Sequence, residues 1–293
     1  MNILLTGGTG LIGKQLTEEL VSSGHKLTIL SRTKRENTKN IKYIEWNQKD
    51  LMDAVNQVDI VINLAGEPIA KKRWTDKQKD LIKKSRAETT KLIVQVINNA
   101  NKKPKKIINA SAVGFYGNRG NSKLAENSPS GSGFLPDVCK EWEYEANKAK
   151  INVVILRIGV VLSKNGGALE KIIPPFKAFV GGPLGTGNQW MSWISLSDLI
   201  GLIKFVAEND NVTGILNATS PNPVTNKDFS NIVGKVLGRP SFMRAPAFAL
   251  KILLGEMSDL LLDSQRVIPE RALELGYKFK YPDLESALSS ITS

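Results

Sequence analysis

Residues 3–13 read Ile3-Leu4-Leu5-Thr6-Gly7-Gly8-Thr9-Gly10-Leu11-Ile12-Gly13, an apolar strand that runs into three spaced glycines. An amphipathic helix follows, with Leu16, Leu20 and Val21 on one face. Gly7 permits a tight strand-to-helix turn. Gly10 leaves the backbone open to a pyrophosphate, and Gly13 lets the helix approach the sheet. The free N–H groups and positive dipole end of such a helix face the phosphates. A glycine triplet alone is weak evidence, but one that follows a strand and opens a helix carries its own context. A plain βα turn would need only one of the three glycines.

Working outward, the first half alternates strand and helix. Strands are expected at 2–6, 26–31, 41–45, 58–64, 106–111 and 152–157, and helices near 11–23, 49–55, 76–100 and 134–148. Strands separated by helix-length segments imply a doubly wound parallel sheet with right-handed crossovers, an α/β Rossmann architecture. The run Asp59-Ile-Val-Ile-Asn-Leu-Ala65 suits a strand buried on both faces. After Leu162 the pattern breaks. Segment 163–193 holds Gly166, Gly167, Pro174, Pro175, Gly181, Gly182, Pro183, Gly185 and Gly187, which reads as long loops over the carboxyl ends of the strands. Residues 194–238 return to helix and strand patterns. From Arg239 the prolines 240, 246, 269 and 282 punctuate short helices. The expected organisation is a dinucleotide-binding domain over 1–238 and a small, mostly helical C-terminal subdomain over 239–293.

Composition narrows the class. The chain has 293 residues, 41% of them hydrophobic, enough for a large core. The single cysteine, Cys139, excludes an internal disulfide and a cysteine-cluster metal site. The single histidine, His25, reads as a surface turn residue, so a Ser–His–Asp triad and a histidine zinc site are not expected. Met1 leads directly into a core strand, which leaves no room for a signal peptide, and no apolar run reaches the ~20 residues that span a bilayer. These features point to a cytoplasmic protein without a membrane partner. The net charge is +12, and residues 1–110 hold 21 basic against 11 acidic residues. That excess could attract an anionic cofactor or nucleic acid. Solvated lysine-rich faces are the favoured account, because no basic cluster is interleaved with aromatics.

Cofactor choice is read at the end of the second strand, Leu30-Ser31-Arg32-Thr33-Lys34-Arg35. An acidic residue there would bond both ribose hydroxyls of NAD. Ser31 and Arg32 stand there instead, and a guanidinium matches a 2′-phosphate by bidentate hydrogen bonding. The expectation is NADP(H) in preference to NAD(H). Small residues end the fourth strand at Leu64-Ala65-Gly66; they either let the backbone pass a ribose or nicotinamide, or form a plain turn. The expected cofactor set is Thr6, Gly7, Gly10, Leu11, Ile12, Ser31, Arg32, Leu64, Ala65, Gly66 and Ala110.

At this point the chain resembles the extended short-chain dehydrogenase/reductase superfamily. The residues that carry the likeness are Thr6 to Gly13, Asn63-Leu64-Ala65-Gly66 and Ser111-Ala112-Val113-Gly114-Phe115-Tyr116-Gly117. Ser85-Arg86 with Thr89, Leu156 to Leu162, Gly166-Gly167-Ala168-Leu169, Gly185-Thr186-Gly187-Asn188-Gln189 and Trp193-Ile194 are similar to one atypical branch, the epimerase family protein or YfcH-like group. That group ends in a domain of unknown function. Gly255-Glu256, Ser264-Gln265-Arg266-Val267 with Pro269, and Leu275-Gly276-Tyr277 resemble it.

The resemblance implies hydride transfer assisted by a Tyr-x-x-x-Lys pair, in which the lysine lowers the tyrosine pKa. In the register of the helix at 134–148 those two positions hold Leu135 and Cys139, which cannot do that work. A literal Tyr144-x-x-x-Lys148 lies late in the same helix and reads as a surface coincidence, with Glu141, Glu143 and Glu145 on a solvated face. Ser111, at a strand's carboxyl end, is the catalytic candidate that remains. Tyr116 is the nearest tyrosine that could donate a proton, or else a packing aromatic. Lys140 is turned away by about 100°. Gln189, Trp190 and Trp193 are candidates to line a substrate pocket, with Trp193 equally able to be core. Glu67 and Glu126 read as surface or capping residues.

Two readings follow. One is an NADP(H)-dependent oxidoreductase or epimerase with non-standard proton chemistry, acting on a small carbonyl or hydroxyl substrate, a nucleotide sugar among the candidates. The other is a non-catalytic NADP(H)-responsive sensor. Nucleic-acid binding is a minor third option. The enzyme is favoured, as a monomer or homodimer with no metal.

Overall fold

A computed structural model gives the structure of the protein and describes residues 1–292. Its centre is a seven-stranded sheet, parallel throughout. The strands are β1 (Asn2–Thr6), β2 (Lys26–Ser31), β3 (Ile41–Glu45), β4 (Ile60–Asn63), β5 (Lys106–Ala112), and the strands Asn152–Ile158 and Gly214–Ala218. Their order across the sheet is 214–218, 152–158, β5, β4, β1, β2, β3. The chain steps outward from β1 to β2 and β3, then returns to β1's other side with β4. The carboxyl ends of β1 and β4 therefore flank the switch point where doubly wound sheets bind ligands.

Continuous apolar strands form because both faces are covered. Ile3 and Leu5 pack with Leu16 and Leu20 of α1 (Leu11–Ser22) and with Leu202 of the helix Leu196–Glu208. Leu4 points the other way, into a cluster with Leu51 of α2 (Gln48–Val55), Val61, and Ile93 and Ile97 of α3 (Asp76–Asn99). Asn47 and Thr75 cap α2 and α3, each accepting a backbone N–H of the first turn. The expected strands and helices all form, to within two residues at their ends. The strand 214–218 is the addition; it is short, starts at Gly214, and gains its place by pairing with 152–158.

His25 and Lys106 are both buried. His25 is 8% exposed: its Nδ1 meets the amino terminus of Met1 at 3.2 Å, and its Nε2 lies 3.2 Å from Glu208. It ties the start of the chain to the end of helix 196–208 rather than facing solvent. Lys106 is fully buried, and its ammonium donates to the carbonyls of Val206 and Asn209 at 3.0 and 2.6 Å. A cation there satisfies the last carbonyls of that helix and complements its dipole.

The C-terminal segment is woven into the rest. Arg266–Val267 pairs in parallel with Lys123–Leu124. Leu284, Ala287 and Leu288 share a core with Phe176, Trp193, Phe229 and Val233. Ala272, Tyr277 and Phe279 join the main sheet's core, and Tyr277 donates its hydroxyl hydrogen to the carbonyl of Asp198. The expected boundary falls at Gly238, whose φ of +61° ends the helix Asn226–Leu237 in the left-handed conformation. Among the described residues no helix is long and apolar enough to cross a membrane.

Candidate functional site

β1 ends at Thr6 and α1 opens at Leu11, so residues 7–10 make the turn. Gly7 has φ +72°, and a Cβ on it would lie 2.6 Å from the Leu64 carbonyl oxygen. A Cβ on Gly13 would lie 2.2 Å from the Gly7 carbonyl oxygen. A Cβ on Gly10 would meet only that same oxygen, at 3.3 Å, and Gly10 is exposed. Gly7 and Gly13 thus serve the chain's own packing, while Gly10 leaves the outer side of the turn bare. No side chain caps α1. Its first N–H groups are left for an external acceptor, which is the donor set a pyrophosphate needs. Leu11 also carries the loop above: a Cβ on Gly167 would come within 3.0 Å of it. The glycine-rich segment after 162 therefore folds over the start of α1. Ile12 packs inward against the core.

At the end of β2, the Ser31 hydroxyl is buried, donating to the Thr33 carbonyl at 2.7 Å and accepting from the Thr33 N–H at 3.3 Å. It shapes the turn that presents Arg32. Arg32 is exposed and has no hydrogen-bond or ion-pair partner among the described residues.

Beneath the switch point lies a polar network that the sequence reading did not include. Thr6 donates to Asn63 Oδ1 at 2.6 Å, and Asn63 Nδ2 donates to Thr90 and to Asn109 Oδ1 at 2.9 and 2.6 Å. Trp142 Nε1 donates to Thr90 at 3.0 Å. These bonds lock the ends of β1, β4 and β5 to α3 and to α4 (Phe134–Ala146). Asn63 Oδ1 also accepts the Ala65 N–H at 3.3 Å, which sets the path of Leu64-Ala65-Gly66. Thr6 and Ala110 are thus buried support, with Gly66 exposed at the rim.

Along α4, Leu135, Cys139 and Glu143 share one face, as an i, i+4, i+8 series must. A Cβ on Gly114, just past β5, would lie 3.3 Å from Leu135 Cβ and 3.9 Å from the Cys139 sulfur. The two side chains in the expected acid–base register therefore face the end of β5 as a hydrocarbon and a thiol. Burial and the Glu143 carboxylate push the Cys139 thiol up to about 11, so it stays protonated. Glu143 is 5% exposed, not on a solvated face. It accepts Ser111 Oγ–H at 2.6 Å and a bidentate pair from Arg157, Nε at 2.9 and Nη2 at 2.8 Å. Arg157 lies at the end of strand 152–158, and its guanidinium stacks 3.4 Å over the Phe115 ring. Tyr144, by contrast, is 63% exposed beside Lys148 at the surface.

Tyr116 belongs to this buried network rather than to an open cleft. It is fully buried, its hydroxyl lies 2.7 Å from Asn217 Oδ1 and 3.0 Å from the Ala125 carbonyl, and it accepts Arg157 Nη1 at 2.9 Å. Burial raises its pKa against the pull of Arg157. Glu126 is also inside, not at the surface: it accepts the N–H groups of Asn217 and of Arg271, in the first turn of the helix Glu270–Glu274, and burial raises its pKa. Tyr116→Phe is expected to cost about 1–3 kcal/mol, since it leaves Asn217 and Arg157 short of a partner. Urea unfolding measures that loss, and an unchanged midpoint would contradict the network.

The tryptophan loop divides. Trp193 is fully buried in the core with its Nε1 donating to the Asn222 carbonyl. Gln189 is 8% exposed and clamps two loops, its Nε2 donating to the carbonyls of Leu184 and Leu261 at 3.0 Å. Trp190 is half-buried, bonded to Asn121 and stacked under Arg266. Each of these three thus bonds to another segment of the chain. Among the described residues no group of three metal-ligating side chains occurs.

Glu143 and Arg157 had a signal in the sequence. An arginine closing the apolar run Val153-Val154-Ile155-Leu156-Arg157 requires a buried partner. The acidic residue one turn past Cys139 supplies it.

This geometry agrees with comparisons to known proteins. A family model described as the NAD dependent epimerase/dehydratase family matches residues 3–218, and DUF1731, a domain of unknown function, matches 245–291. The chain is 42% identical over 301 residues to the chloroplastic epimerase family protein SDR39U1 homolog of Arabidopsis thaliana, covering 99% of this chain and 86% of that protein. It is 40% identical over 298 residues to the epimerase family protein YfhF of Bacillus subtilis, covering 99% and 98%. The crystal structure of human epimerase family protein SDR39U1 (isoform 2), determined with NADPH, superposes with a TM-score of 0.91 at 33% identity, covering 99% of both chains. The chain belongs to the NAD dependent epimerase/dehydratase family, and its residues 245–291 match the DUF1731 domain of unknown function.

Proposed function

We propose that the protein is an NADP(H)-dependent oxidoreductase or epimerase acting on a small carbonyl or hydroxyl substrate. The observation that carries this reading is the uncapped, glycine-lined start of α1 beside an unpaired Arg32, in a fold shared with a human relative crystallised with NADPH. Residues 7–12 would hold the pyrophosphate, Arg32 the 2′-phosphate, and Leu64 to Gly66 the nicotinamide end. The cofactor supplies a hydride acceptor or donor when bound.

The chain's own contribution is proton handling at Ser111. Its hydroxyl hydrogen is committed to Glu143 at 2.6 Å, so what Ser111 offers a substrate is a lone pair. A substrate hydroxyl can donate to Ser111 Oγ, and the serine proton is already directed at the carboxylate. Arg157 fixes that carboxylate's orientation through its bidentate fork. Ser111 is thus the residue proposed to touch substrate, and Glu143 a positioning residue behind it.

Calorimetric titration with NADPH and NADH tests the cofactor reading. Arg32→Ala is expected to weaken NADPH about 10- to 100-fold, the worth of charge-assisted hydrogen bonds, with little change for NADH. Equal loss of both cofactors would remove the 2′-phosphate assignment. Ser111→Ala is expected to lower turnover about 100-fold or more at unchanged NADPH affinity. Tight NADPH binding with no oxidation by any carbonyl would favour the sensor reading, which the neutral Leu135 and Cys139 also support.

A further inference from the structure

Arg86, in the middle of α3, holds a cation at the rim of the site without a counter-ion. Its guanidinium lies flat against Gly66: a Cβ there would sit 3.1 Å from Cζ and Nη2 and 3.4 Å from Nε. The Trp142 ring lies 5.2 Å away, in cation–π geometry. Nη1 is spent on the Ile82 carbonyl at 3.0 Å, with Ser85 Oγ at 3.5 Å. Nε and Nη2 have no hydrogen-bond partner among the described residues, and no carboxylate is within ion-pair distance. Glu67 is an acidic neighbour, yet its backbone N–H is held by Ser85 and its side chain makes no bond to the guanidinium.

The fully buried Arg157 is treated differently. Arg157 has the full Glu143 fork, as the desolvation cost of a buried charge demands. Arg86 is half-buried and pays part of that cost with its Nε/Nη2 edge unmet. That edge is the pair of parallel N–H donors that matches a carboxylate. It stands next to Gly66, three residues past the end of β4 at the switch point. With Leu135 and Cys139 uncharged, Arg86 is the fixed positive charge at this end of the site.

We propose that Arg86 is an anion anchor that takes a carboxylate of the substrate, so that the protein acts on small carboxylate-bearing carbonyl or hydroxyl compounds. This rests on the cofactor reading above, because Gly66 marks the nicotinamide end only if the dinucleotide lies across the switch point. A side chain at Gly66 would press on the guanidinium, which would have to give by a few tenths of an ångström.

The test uses the whole protein, first titrated with NADPH and then, loaded, with oxamate, malonate and benzoate while bound NADPH fluorescence is followed. At least one carboxylate is expected to bind saturably, and its neutral amide is not. Arg86→Gln and Arg86→Lys are each expected to weaken that carboxylate about 10-fold or more, with NADPH affinity within about 3-fold of the parent. The lysine variant keeps the charge and loses only the fork. Both variants are checked for an unchanged unfolding midpoint. No carboxylate binding by the parent, undiminished binding by both variants, or equal loss of NADPH and carboxylate would each overturn the anchor. If the parent fails to bind NADPH, the cofactor reading falls instead. Calorimetry with the carboxylates alone then reads Arg86 directly: binding lost in Arg86→Gln retains the anchor, and no binding removes it.

Discussion

Glu143→Leu is expected to lower folding stability by about 3–5 kcal/mol, because it strands the buried Arg157 guanidinium. Arg157 is 2% exposed, and Glu143 supplies both acceptors of its fork. The same substitution leaves Ser111 Oγ–H without its acceptor. Arg157→Leu is expected to cost a comparable amount, since the carboxylate is then the orphan. The double variant should lose less than the two single losses added, by more than about 1 kcal/mol, as the shared charge pair is removed only once. Urea unfolding of the four proteins gives the cycle. The surface pair Asp80–Lys84, with both side chains more than half exposed, is the internal contrast. Lys84→Ala should cost no more than about 1 kcal/mol. Strict additivity of Glu143→Leu and Arg157→Leu would mean that the fork carries no net coupling.

That network also marks where sequence reasoning stopped. The sheet was legible because each strand is a short apolar run separated from the next by a helix-length segment, and burial on both faces leaves little else such runs can do. The glycine turn was legible because Gly7 and Gly13 each answer a steric demand of the chain's own packing. The helix register was legible too: Leu135 and Cys139 face the end of β5, and the literal Tyr144 and Lys148 do not. Partners across the fold were not. Glu143 sits amid glutamates that look solvated, and only the position of strand 152–158 brings Arg157 beside it. For Tyr116 the sequence leaves a candidate acid and a packing or substrate-lining aromatic both open, because the loop after Ser111 passes the site. The loop turns inward instead, and Asn217, from a strand about 100 residues later, takes the hydroxyl. For Trp193 the glycine-rich setting leaves pocket and core both open, since a tryptophan in a loop crossing the sheet's end is as readily the plug beneath it, and it is core. In the sequence Arg86 is one residue of the Ser85-Arg86 motif. Its unmet edge is a fact of geometry, since nothing in Ser85-Arg86 says which nitrogen lacks a partner.

Gly13→Ala and Gly10→Ala should separate the two demands placed on the first turn. A Cβ on Gly13 would fall 2.2 Å from the Gly7 carbonyl oxygen and 2.6 Å from Gly8 Cα, so α1 must move away from the turn. Overpacking of this kind costs about 1–3 kcal/mol. The displaced helix end no longer presents its N–H groups where β1 delivers the chain, and NADPH affinity is expected to fall about 100-fold or more, the scale of a misplacement near 1 Å. Gly10 differs. It is exposed, and its Cβ would meet only the Gly7 oxygen at 3.3 Å, a small adjustment for the fold. Gly10→Ala should therefore leave the urea midpoint within about 0.5 kcal/mol of the parent. Its methyl group stands on the bare side of the turn, so NADPH binding should still weaken, and NADH with it, because both carry the pyrophosphate. The pattern to look for is stability and binding lost together in Gly13→Ala, and binding lost alone in Gly10→Ala. If Gly10→Ala binds NADPH as well as the parent does, the phosphates do not rest on the outer side of this turn. The start of α1 would then be no more than a close-packed βα junction.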